Sequence, residues 1–272
     1  MSVTTSNHLE RVEERGWQRG LRNLLQGEVS AWFKSSRWWK QIILWFLIIN
    51  LMMIIMIFAA SEAAEDGGSV PSPLFMYGIF GGMFVAFGVM IIMQRVIVGE
   101  MRAGTAAWVL SKPVTRTAFV VSRLVGNSIA ILLTSVVLPG VIFYFTLGLS
   151  SDLGWLHPMN FMAGISMVII HTFFWIALVL MMGTVVESSA GVIAVPMALF
   201  FILWMGGGMI PGSEYISPLL LTFSPNPDTI NSLSFSLMVG EPVFSWLPLI
   251  STMSLSVVFI AVALRRFNHQ EF

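Results

Sequence analysis

The chain alternates between long apolar runs and short polar segments. Six of the runs approach or exceed the ~20 residues that a membrane-spanning helix needs; they cover residues 42–60, 74–98, 116–149, 159–186, 190–210 and 244–264. The pattern therefore predicts an all-α polytopic membrane protein with six transmembrane helices. The fourth run is longer than a bilayer requires, so its helix should tilt or protrude.

Residues 1–41 precede the first run and are predicted to form an amphipathic helix on the cytoplasmic side or at the membrane interface. Five apolar residues recur there at helical spacing, while the arginines fall elsewhere: Trp17, Leu21, Leu24, Leu25 and Trp32. Two environments stay open for this face, the lipid headgroup layer and the surface of another protein. Glycines at positions 16, 20 and 27 predict breaks in the helix.

Residues 95–127 are the only long charged interruption between the apolar runs. Residues 100–110 are predicted to form one short helix. It should end before Pro113, because the residue that precedes a proline avoids the helical region. The hydroxyl of Thr115 should cap the next helix. On these residues alone, a short rigid helix and a plain amphipathic loop are equally good interpretations.

Residues 211–243 are too apolar for a solvated loop and too interrupted by prolines for a span. We predict short re-entrant helices on the outer side, between the fifth and sixth spans, with an ordinary folded lid as the alternative. In the second span, Gly78, Gly82 and Ala86 stand four residues apart, a pattern that favours close approach of another helix of the same chain.

Composition excludes a soluble protein of this size, since 56% of the residues are hydrophobic and only 10% are charged. The absence of cysteine excludes disulfides and thiolate metal sites. About forty residues rich in charge precede the first apolar run, so no cleavable signal peptide is expected.

The distribution of charge predicts the orientation. If the N-terminus is cytoplasmic, all fourteen Lys and Arg residues fall on the cytoplasmic side. The outer segments 61–73, 150–158 and 211–243 then contain acidic residues and neither Lys nor Arg. The positive-inside rule therefore places both termini in the cytoplasm.

Residues 100–116 resemble the membrane subunits of ABC transporters of the ABC-2 type. The matching elements, in order, are Glu100, Gly104-Thr105, Leu110-Ser111-Lys112-Pro113-Val114 and Thr115-Arg116. There are two further matches. Gly27-Glu28-Val29, followed by Lys34 and Arg37, lacks the family's lysine and is the weaker one, and residues 223–228 resemble the family's Asn-Pro-x-Asp turn.

The resemblance implies a cytoplasmic coupling helix between spans 2 and 3 that sits in a groove of a separate ATPase subunit. It assigns this coupling role to Glu100, Arg102, Gly104, Thr105, Leu110, Lys112, Pro113 and Arg116, with a possible N-terminal interface at Trp17 and Glu28. It also implies a second permease chain, as a homo- or heterodimer, an export function and a bacterial inner membrane. Nucleic acid is not an expected partner.

The chain contains no G-x-x-x-x-G-K-[ST] loop to cradle a nucleotide phosphate. We therefore expect no enzymatic activity, cofactor or metal in this chain, and expect ATP to be used by a partner subunit.

Two alternatives remain at this stage, an intramembrane enzyme centred on His171 and a non-transporting membrane anchor of a sensor complex. His171 is the one titratable residue predicted inside the spans, and a neutral histidine bonded to a neighbouring helix is its more frequent role. Asn50 is likewise predicted to link helices. A proton-coupled carrier is disfavoured because proton relays need buried carboxylates or several histidines.

Overall fold

The computed structural model describes residues 16–65, 72–150, 154–210, 212–224 and 230–270, and these residues form helices and turns without a strand. The α-helices, in chain order, are α1 (Leu21–Lys34), α2 (Arg37–Trp45), α3 (Met52–Glu65), α4 (Pro73–Ile79), α5 (Val85–Met93), α6 (Val98–Arg102), α7 (Thr105–Leu110), α8 (Arg116–Leu132), α9 (Leu138–Ser150), α10 (Pro158–Val185), α11 (Ser189–Met209), α12 (Leu233–Val239) and α13 (Leu247–Asn268).

Six helical stretches of the described chain are long and apolar enough to cross a membrane, which confirms the predicted fold class. Spans 1 to 6 are Arg37–Ala59, Pro73–Arg102, Arg116–Leu149, Pro158–Val185, Ser189–Gly206 and Leu247–Asn268. Span 4 lies at the centre, and 67% of its most apolar window is buried. Span 3 has 34 residues and is about 50 Å long, which exceeds the ~30 Å hydrocarbon core.

Spans 1, 2 and 3 each contain a π-helical segment, at Phe46–Leu51, Phe80–Phe84 and Leu133–Val137. In span 3, the Thr134 and Ser135 hydroxyls donate to the carbonyls of Ala130 and Ile131 at 2.8 and 2.7 Å. These side chains supply hydrogen bonds where the helix is irregular, which an apolar environment demands. Pro139, which has no N–H for the regular helical ladder, lies just after this segment.

Helix α1 packs along α8, the first half of span 3. A Cβ atom on Gly20 would lie 2.7 Å from Val114 Cγ2, and one on Gly126 would lie 2.8 Å from Glu28 Cβ. Helices α1 and α8 are therefore parallel, with the same chain direction. The apolar face of α1 covers the chain's own third span, an arrangement that differs from both environments considered from the sequence.

The N-terminal segment is broken where positive φ occurs. Gly16 and Gly20 have φ of 74° and 81°, and a short 3₁₀ turn, Gly16–Gln18, precedes α1. The break predicted at Gly27 is wrong, because this glycine lies inside α1. Residues 1–15 of the predicted N-terminal helix lie outside the described part of the chain.

The segment between spans 5 and 6 contains the 3₁₀ helices Ser213–Tyr215 and Pro218–Leu221, followed by α12. Residues 218–221 are fully buried against α10 and α13. A Cβ on Gly78 would lie 2.1 Å from the Thr222 carbonyl oxygen, and one on Gly82 would lie 2.2 Å from its Oγ1. Gly78 and Gly82 of span 2 therefore allow the close approach of the turn at Thr222, between spans 5 and 6, and not of another spanning helix. Residues 225–229, which include Asn226-Pro227-Asp228, lie outside the described part.

Asn50 was predicted to bond between helices, but the structure does not show this. Its side chain is 1% exposed within the π-helical segment of span 1. Neither side-chain polar atom has a hydrogen-bond partner in the described chain.

Candidate functional site: an ion cluster at the basic end

Three elements meet through one arginine at the end of the bundle that carries α1, α6, α7 and the C-terminus of α13, which we call the basic end. Arg123 of α8 contacts Glu28 of α1 through Nη1, and its Nη2 lies 3.2 Å from Glu100 Oε1 of α6. The three side chains are only 17%, 22% and 28% exposed. A planar guanidinium can serve two carboxylates at once, which a lysine ammonium does less well.

Residues of α8 near Arg123 allow Glu28 of α1 to approach it and hold the arginine in place. Gly126, one turn further along α8, has no side chain to separate α8 from Glu28. The guanidinium carbon lies 5.2 Å from the centre of the Phe119 ring. Asn127 Nδ2 donates to the Arg123 carbonyl at 2.8 Å. The arginine is thus held by contacts along its own helix as well as by its two partners.

The predicted short helix of residues 100–110 is in fact two helices, α6 and α7, because Gly104 between them adopts φ of 71°. The Thr105 hydroxyl donates to the Glu100 carbonyl at 3.0 Å across this corner. Ala106 is fully buried, whereas Trp108 is 62% exposed. Helix α7 therefore presents a tryptophan outward, and Lys112 Nζ lies 3.6 Å from its ring centre.

The segment before α1 is hydrogen-bonded to the start of α8. The Thr115 hydroxyl accepts from Ala118 N–H at 3.1 Å, which confirms the predicted cap. The same hydroxyl donates to the Trp17 carbonyl, and the Thr115 N–H donates to the Arg19 carbonyl at 3.2 Å. Arg116 Nη1 donates to the Asn268 carbonyl at 2.8 Å and also to that of Gln270. The N- and C-terminal segments therefore both meet span 3 here.

Residues 19–26 and 108–114 enclose an open cavity of about 620 Å³, which we call the basic cavity. Among the residues that the structure describes, its charged lining consists of Arg19, Arg22 and Lys112, all exposed, and contains no carboxylate. Trp108 and Pro113 form part of its wall.

The residues that the family resemblance singled out do not form a single site. Glu28 and Glu100 meet through Arg123, while Trp17, Lys112 and Pro113 lie at or near the basic cavity. Arg116 faces the C-terminal segment, and Arg102 lines a different, smaller cavity beside Glu187 in the turn between spans 4 and 5. Leu110 packs against the core, and Gly104 forms the corner between α6 and α7.

Sequence reasoning did not select Arg123 as a site residue. Two signals were available, since Arg123 is a charge inside a long apolar run and Gly126 stands one turn away. Only the fold shows that two glutamates from distant segments converge on it.

His171 lies where span 4 contacts the segment between spans 5 and 6. Trp175 Nε1 donates to His171 Nε2 at 3.0 Å, so Nδ1 must carry the proton that it donates to the Pro218 carbonyl at 2.9 Å. Both ring nitrogens of a fully buried imidazole are thus in use. The described residues contain no group of His, Cys, Asp and Glu that could hold a metal ion. This arrangement joins the turn at Pro218, between spans 5 and 6, to span 4 and gives no support to an intramembrane enzyme.

These observations define a polytopic helical membrane protein in which an N-terminal helix and two short interhelical helices form a polar platform at one end. The model of the ABC-2 family transporter proteins matches residues 45–272. The chain therefore belongs to this family of membrane subunits of transporters, and the resemblance found in the sequence is confirmed. No curated protein matches the chain.

Proposed function

We propose that this chain is the permease subunit of an ABC-2 type transporter, coupled to a separate cytoplasmic ATPase subunit and exporting a substrate through a pathway formed with a second permease chain. The observation that carries the proposal is the bridge from Arg123 to Glu28 and Glu100. This bridge joins the short helices, the N-terminal helix and span 3 into one mechanical unit. The basic end is the cytoplasmic face, as the positive-inside rule requires.

The connections explain how force on α6 and α7 would reach the membrane. Helix α5 of span 2 leads directly into α6 through the turn at residues 94–97. Glu100 passes the movement to Arg123 in span 3, and Glu28 passes it to α1, which leads into span 1. Rigid helices that share a fixed contact move together, so the ATPase would act on three spans at once.

On the outer side, we propose that the segment between spans 5 and 6, described at residues 212–224 and 230–243, is re-entrant. The Pro218 carbonyl bonds to His171, which lies about 20 Å along α10 from its start at Pro158, at 1.5 Å per residue. A backbone at that depth must satisfy its polar groups within the protein. The bond from His171 does so for the Pro218 carbonyl, and the N–H groups of Thr222 and Phe223 both donate to the Leu219 carbonyl at 3.0 Å.

The test is stimulation of ATP hydrolysis in the complex of the full chain with its co-purified ATPase subunit. Arg123→Gln and Glu100→Gln should each leave the complex assembled but reduce permease-dependent ATP hydrolysis about tenfold, because the short helices lose their connection to span 3. Arg95→Gln removes an exposed cation from the adjacent turn and is the matched control. Absence of any co-purifying ATPase, or unchanged stimulation in both variants, would contradict the proposal.

A further inference from the structure

The basic cavity has the wrong position for a lipid headgroup. We place the membrane interface at the basic end beside Trp38 and Trp39 of α2, which are 38% and 44% exposed and directly precede the apolar run of span 1, because tryptophan is enriched at membrane–water interfaces. Helix α2 packs beside Leu133–Val137 in span 3. Span 3 extends about 25 Å from this segment back to the start of α8, which lies at the wall of the basic cavity. If span 3 is tilted by ~40°, the basic cavity still lies ~20 Å from the interface along the membrane normal. The headgroup layer is only about 5–8 Å thick.

Within the described residues that line it, the basic cavity carries positive charge and no carboxylate. Arg19 and Arg22 come from the N-terminal segment and Lys112 from the turn after α7, so three cations from two segments surround one opening. The ion pairs found at this end among the described residues involve Arg123, Glu28 and Glu100 instead. An anionic partner would gain Coulomb attraction from all three cations, and the exposed Trp108 adds an apolar surface of the kind enriched at protein interfaces.

We propose that the basic cavity binds an acidic segment of the ATPase subunit, with carboxylates placed between Arg19, Arg22 and Lys112 and an apolar residue against Trp108. This inference rests on the proposed function and specifies the chemistry of the partner's surface. It also makes the N-terminal segment a direct part of the docking site, beside α7.

Zero-length carbodiimide cross-linking of the assembled complex tests this contact. The reagent activates a carboxylate, and a lysine amine in contact with it then forms an amide. Lys112 is one of three lysines in the chain, with Lys34 and Lys40. A peptide of the ATPase subunit should be joined to Lys112. Lys112→Arg keeps the positive charge but lacks the amine, so it should abolish this product while the complex remains intact. Lys34→Arg should leave the product unchanged.

A second arm does not depend on the ATPase subunit. The full chain in phosphatidylcholine nanodiscs is titrated with a fluorescent hexaglutamate peptide. Substitution of Arg19, Arg22 and Lys112 together by Gln should weaken binding at least tenfold, and removal of the exposed belt cations Arg37 and Lys40 should not. Binding should also fall steeply with salt.

The outcomes separate the two hypotheses. An ATPase that co-purifies without forming a product at Lys112, and whose binding resists Lys112→Glu, overturns this inference and leaves the proposed function standing. A product that joins Lys112 only to carboxylates of the same chain also overturns it. If the triple variant instead loses affinity for phosphatidylglycerol vesicles but not for the acidic peptide, the cavity is a lipid site and the inference is wrong. If no ATPase subunit co-purifies, the proposed function fails, and so does this inference about its acidic segment; the peptide titration then measures only the chemistry of the cavity.

Discussion

At the scale of single residues, the closest packing lies where span 2 meets the outer turn. The Cβ atom of Gly78→Ala would lie 2.1 Å from a backbone oxygen, which cannot rotate away as a side chain could. We expect this substitution to lower the free energy of unfolding by about 1–3 kcal/mol, the usual cost of overpacking. Thermal unfolding of the detergent-solubilised protein measures it. Gly206→Ala in span 5, where a Cβ would meet nothing within 4 Å, should not be destabilising.

His171 provides a second prediction at this scale. Trp175→Phe keeps the aromatic packing but leaves His171 Nε2 without its donor, at a cost of ~1–3 kcal/mol. His171→Phe leaves both the Trp175 N–H and the Pro218 carbonyl unpaired and should cost more. Because the residues share one network, the double variant should cost less than the sum of the single variants. Strict additivity in thermal unfolding would show that the network does not exist.

At the scale of elements, the attachment of α1 to span 3 depends on Arg123. Arg123→Gln removes the one cation shared by Glu28 and Glu100 and leaves two partly buried carboxylates near each other. We expect amide hydrogen exchange in α1 to accelerate about tenfold, which corresponds to ~1.4 kcal/mol of local stability. Arg95→Gln, at an exposed position in the turn before α6, should leave exchange in α1 unchanged. Equal exchange in wild type and Arg123→Gln would mean that apolar contacts alone hold the helix.

The same elements show how far the sequence could predict the structure. Hydrophobic length predicts the six spans, because each must cross the same thickness of hydrocarbon. The cap at Thr115 was predictable from the local order of residues. The corner at Gly104 was not, because glycine tolerates both the helical and the left-handed region. The meeting of Glu28, Glu100 and Arg123 depends on α1 running along α8, and no periodicity within either helix specifies its neighbour.

At the scale of the whole molecule, the proposed orientation predicts which parts of the chain face the cytoplasm. The chain has no cysteine, so single cysteines can be introduced without removing native ones. Ala107→Cys places a thiol on the exposed side of α7, and Glu241→Cys places one at an exposed position after α12. In intact cells, a membrane-impermeant maleimide should label Glu241→Cys, and it should label Ala107→Cys only after permeabilisation. Labelling of Ala107→Cys in intact cells would place the Arg123 cluster and the basic cavity outside. Helices α6 and α7 lie at the end of the bundle opposite the segment between spans 5 and 6. With that end outside the cell, an ATPase that uses cytoplasmic ATP could not reach either site.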